Sequence, residues 1–168
     1  MKNPKIIPLF PNPITEGSDI ELAKKIQEVN IKEKLYSAKD VFNASPLLRK
    51  KVQNVVNEHL KHIKAKCKGK LSIKYYGGVD NEYDKPDDNS ILTGVVMVNL
   101  KKGAKKITLF NPYSIDNDNI KQDKNDNPYV DYSFIKVKGD VMLFDSKMKF
   151  DVEIGEEEMI LIFDVILN

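Results

Sequence analysis

The apolar residues of this chain change their spacing at Gly69. Before it they recur every three or four residues, and after it they alternate or run in short blocks. A helical first part followed by an all-β second part predicts an α+β fold. The chain has 168 residues, the length of one domain. Residues 1–69 are expected to hold an extended arm and two helices, and residues 70–168 a β unit.

Ser18-Asp19-Ile20-Glu21 reads as a capping box, with Ser18 as the cap. Leu22, Ile26 and Val29 follow at helical spacing, which predicts a helix over 19–36. In the second helix Ser45 is the expected cap and Pro46 the first helical residue. Leu48, Val52, Val55, Val56, Leu60, Ile63 and Cys67 make its apolar stripe, and Gly69 its stop. Residues 6–14 are apolar but broken by Pro8, Pro11 and Pro13. Proline lacks a backbone donor, so this segment predicts an edge strand or extended arm.

Seven β runs follow, over 71–75, 91–100, 106–111, 134–137, 141–144, 150–154 and 159–167. Their number and spacing fit a sandwich or small barrel. Residues 111–133 form a long stretch rich in Asn and Asp. Loops of that length in a compact domain are usually functional or mobile. Its Tyr113, Tyr129 and Tyr132 are candidate protein-interface residues, because tyrosine is enriched at such surfaces.

Composition narrows the chemistry. Lys+Arg number 27 and Asp+Glu 25, a net charge of +2, too even for a strongly basic nucleic-acid grip. No apolar run approaches the ~20 residues that cross a bilayer, and the prolines after Met1 rule out a signal peptide. Cys67 is the single cysteine, so no intramolecular disulfide forms. The histidines are His59 and His62, and the arginine is Arg49. Imidazole is the usual general base and a favoured metal ligand, so this scarcity removes much catalytic chemistry.

The remaining candidates read better as structure. His59 and His62 share a helix face, a spacing metal pairs can use, but His59 falls in the apolar stripe. The acidic residues Asp80, Glu82, Asp84, Asp87 and Asp88 lack the spacing of a calcium loop. Glu156, Glu157 and Glu158 predict an exposed hairpin tip. Asp145 and Asp151 flank a turn with no nucleophile beside them. Lys101, Lys102, Lys105 and Lys106 lack the interleaved aromatics of a nucleic-acid surface.

Several segments resemble one family in order and spacing. They are Pro8-Leu9-Phe10-Pro11-Asn12-Pro13, Ser90-Ile91-Leu92-Thr93-Gly94-Val95-Val96, Ile107-Thr108-Leu109-Phe110-Asn111-Pro112 and Lys138-Gly139-Asp140-Val141-Met142-Leu143-Phe144-Asp145-Ser146. The chain is similar to 2-oxoglutarate/Fe(II) oxygenase-like proteins of tailed bacteriophages and marine bacteria. The resemblance implies two N-terminal helices packed on a double-stranded β-helix, a jelly-roll or cupin-like barrel. It also implies iron held by two histidines and a carboxylate. Here Lys85-Pro86-Asp87-Asp88-Asn89 stands at the first histidine motif, and Phe150 at about the second histidine. No arginine lies in the last strands to meet a co-substrate carboxylate.

The expectation is a fold kept and a chemistry lost, with no catalytic, metal or cofactor-binding residues. The expected role is a non-catalytic structural protein of a tailed-phage virion, at the neck, connector or tail. Its partners would be other protein subunits, in a symmetric homo-oligomeric ring, made in the host cytoplasm. Two alternatives stay open: an oxygenase in which Asp87 or Asp88 works with unusual partners, and a small-molecule or glycan-binding module using the barrel mouth, either of them cytoplasmic.

Overall fold

The computed structural model describes residues 2–9, 12–33, 46–62, 64, 71–76, 89–101, 103–110, 132–152, 154–155 and 158–167. In chain order the elements are β1 (Lys2–Leu9), β2 (Asn12–Ser18), α1 (Ile20–Glu33), α2 (Pro46–His62), β3 (Leu71–Tyr76) and β4 (Ser90–Asn99). Then come β5 (Lys105–Leu109), β6 (Tyr132–Lys136), β7 (Asp140–Asp145), β8 (Phe150–Val152) and β9 (Met159–Leu167). All strand pairs are antiparallel. One sheet runs β1-β2-β7-β4-β9-β3 and a smaller one runs β6-β5-β8. The expected α+β class and all seven β runs are present. No helix of the described residues is long and apolar enough to cross a membrane.

The two-residue period of the strands builds three layers. In β4, Leu92, Val96 and Val98 pack with Leu22 and Ile26 of α1 and with Val52, Val55, Val56 and Leu60 of α2. Their neighbours Val95 and Met97 pack the opposite way, with Ile107 and Leu109 of β5. In β9 Leu161 and Phe163 face the helices while Ile160 and Ile162 face the small sheet. The middle of the large sheet, at β7, β4 and β9, is thus buried on both faces, which is why β4 and β9 read as near-continuous apolar runs.

Four local expectations need correction. Residues 6–14, expected as one edge strand or extended arm, fall in two strands: β1 is an edge strand, but β2 enters the large sheet beside β7. β1, with Pro4 and Pro8, takes the edge, where proline is best tolerated in a sheet. The cap of α1 is Asp19, not Ser18: Asp19 Oδ1 accepts from the Leu22 amide at 2.9 Å. Ser18 is committed to the sheet, opposite Asp140. The second helix ends at His62, and Lys64 follows with a φ of 53°. Ser45, Ile63, Cys67 and Gly69 lie outside the described residues.

Glu158 is the fourth correction. It is not on an exposed tip but 2% exposed. Its carboxylate accepts from Lys105 Nζ at 2.6 Å, the Gly155 amide at 2.7 Å and the Lys101 amide at 3.0 Å. The Lys105 bond is the main reason its pKa falls from 4.5 to about 2; the two amides help and burial opposes them. A lowered native pKa means the carboxylate stabilises the fold above the unfolded value and stops doing so as pH falls through the native one. The urea midpoint is therefore expected to drop between pH 4.5 and about 2. Glu158→Gln is expected to be less stable at neutral pH and to show a flatter acid slope, checked by urea titrations across that range.

Candidate functional site

The space between the two sheets is where the resemblance places chemistry. One row crosses the large sheet in register: Phe144 on β7, Thr93 on β4, Asp164 on β9 and Lys74 on β3. Thr93 shares its face with Val95 and Met97, and Asp164 shares its face with Ile160 and Ile162, so both point towards the small sheet. Thr93 is 1% exposed and Asp164 0%. The Thr93 hydroxyl donates to Asp164 Oδ1 at 2.8 Å.

Around this pair the walls are apolar. Ile14, Met142, Phe144 and Met148 come from the large-sheet side, and Ile107 and Leu109 from the small sheet. Phe150 and Val152 of β8 pack against them. The Phe150 ring meets Phe144 edge-on, with centroids 5.4 Å apart and planes at 66°. This is a packed aromatic contact of the kind that stabilises cores. Phe150 is the residue that stands at about the place where the resemblance implies the second histidine.

Both histidines belong to α2, as their sequence positions implied. His59 is fully buried on the helix side of the large sheet, with Nδ1 hydrogen-bonded to Thr15 Oγ1 at 2.6 Å. It anchors the helix to β2 rather than facing the space between the sheets. Arg49 is exposed on the same helix. Asp87 and Asp88 lie outside the described residues, as do Tyr113 and Tyr129. Tyr132 opens β6, not the loop, and is 38% exposed.

Among the described residues, the donor set between the sheets does not fit an iron centre. The interior row offers one carboxylate, Asp164, already engaged by Thr93, and phenyl and aliphatic groups surround it. No three His, Cys, Asp or Glu side chains converge among the described residues. What the pair does is structural: it joins β4 to β9 in the middle of the molecule. Thr93→Val removes the hydroxyl and keeps the volume. It is expected to cost about 2 kcal/mol, because the buried carboxylate loses a donor. Chemical denaturation of the two proteins measures this.

The pair left a trace in the sequence. Asp164 is the charged residue inside the apolar run of β9, and a buried charge demands a partner. Thr93 carries no such mark.

No protein-family model and no curated protein matches the chain. Among solved structures it is similar to the crystal structure of a Pseudomonas putida prolyl-4-hydroxylase, at 10% sequence identity and a TM-score of 0.46. That similarity covers 92% of this chain and 88% of the hydroxylase chain.

Proposed function

We propose that this protein is a non-catalytic interaction protein whose two sheets form an oxygenase-like double-stranded β-helix. The observation that carries the reading is the edge-on packing of Phe150 on Phe144. A catalytic centre needs polar side chains converging on an open volume. Here one polar pair, Thr93 with Asp164, is enclosed by aromatic and aliphatic side chains.

The exposed apolar residues of β6 support the interaction role. Ile135 is 67% exposed and Val137, just after the strand, 48%. They lie on the outward face of β6, the edge strand of the small sheet, and make that face the candidate contact surface; Tyr132 is on the other face of the same strand. The working environment we propose is a tailed-phage particle, with the chain as a neck, connector or tail subunit in a symmetric ring. Quantitative mass spectrometry of purified particles whose genome encodes this chain tests the placement. The expected result is a fixed copy number per particle that matches a ring. Absence of the chain from intact particles would contradict it.

A further inference from the structure

We propose that Glu16, Lys136, Lys105 and Glu158 form one coupled four-charge latch that closes one end of the space between the two sheets. Lys105 on β5 and Lys136 on β6 are direct cross-strand partners. They share the inward face with the next pair, Ile107 and Phe134. Directly opposed residues hold their Cβ atoms about 5 Å apart, and like charges so placed repel. Each lysine is met by a glutamate from the large-sheet side. Glu16 on β2 lies 2.5 Å from Lys136 Nζ, and Glu158, just before β9, lies 2.6 Å from Lys105 Nζ.

Two of the four charges are buried, and the Lys105 and Glu16 side chains are 21% and 20% exposed. Lys136 is 6% exposed and Glu158 2%, so water screens them weakly. Lys136 Nζ also stands 5.3 Å from the centroid of the Phe134 ring, which favours a cation there. Glu16 pairs in register with Met142, two residues along β7 from Phe144. The latch therefore sits next to the aromatic packing and shuts that side of it.

A double-mutant cycle on the full chain tests the coupling, using Lys105→Met, Lys136→Met and both together. Each single variant loses an ion pair and also relieves the lysine–lysine repulsion. The double variant relieves that repulsion once, not twice. Its urea midpoint should therefore fall by more than the sum of the two single shifts. A sum that is merely additive, or a smaller fall, overturns the latch. If the double variant does not fold, the single Lys136→Met variant still decides. In it the Glu158 carboxyl, followed by NMR titration, should titrate at higher pH than in the parent, although Lys136 is not its hydrogen-bond partner. An unmoved Glu158 titration would show two separate ion pairs.

Discussion

Gly94→Ala is expected to lower stability by about 3 kcal/mol, at the upper end of the usual cost of overpacking. Gly94 lies in the interior of β4, opposite Phe163 on β9 and Leu143 on β7. A Cβ built on Gly94 lands on the Phe163 ring itself. The ring has nowhere to go. Phe163 is 0% exposed and packs with the apolar faces of both helices. Relief requires β4 and β9 to part or the helix layer to lift. Small domains are stable by only ~5–15 kcal/mol, so this one methyl removes a large share. Phe163→Leu in the Gly94→Ala background is expected to recover part of the loss, since the smaller side chain vacates the contested space. Urea denaturation of the two variants and the parent measures both effects. A Gly94→Ala protein as stable as the parent would show that the ring does not lie over the glycine.

Phe144→Ala is expected to cost about 4 kcal/mol, the usual range for truncating a buried phenyl. The residue is 0% exposed and sits between the sheets against Phe150. The size of this loss bears on function. An aromatic lining an open binding cleft already faces solvent on one side, and its removal costs less. A full core penalty at Phe144 means that the space between the sheets is interior. Phe150→Ala should cost less than Phe144→Ala, because Phe150 is only partly buried. Equal and small losses at both positions would point to an open cleft instead.

The strands were legible because their signal is local. β4, β7 and β9 carry Val, Ile, Leu, Met and Phe runs bounded by turn residues, and these runs fall where the strands are. Pairing is not local, and there the sequence is nearly silent. Nothing in residues 12–18 announces that β2 lies against β7, more than a hundred residues away. The proline-rich segment shows its aversion to central strands but not that it supplies two strands paired with each other. The α1 cap moved by one residue for a similar reason. Ser18 and Asp19 can both cap, and the pairing of Ser18 with Asp140 decides between them.

Of the candidate site, the placement of the histidines is what the sequence shows. The positions of His59 and His62 on one helix are visible in the sequence, and they keep both imidazoles off the strands. The fate of the other charges was not visible. Glu158 looked like one of three exposed acids, yet its partners Lys105 and Lys101 come from across the β4–β5 connection. Lys136 and Glu16 are 120 residues apart, and no periodicity links them. Such pairings depend on which strands become neighbours, which is a property of topology rather than of any window of sequence.

We propose that the space between the sheets is packed core and that the described residues hold no iron there. The most direct measurement is an anaerobic titration of the purified full chain with Fe(II) and 2-oxoglutarate, followed by exposure to oxygen. No charge-transfer absorption band and no succinate above the protein-free control are expected. A saturable band with a defined stoichiometry, and succinate formed in proportion to protein, would contradict it.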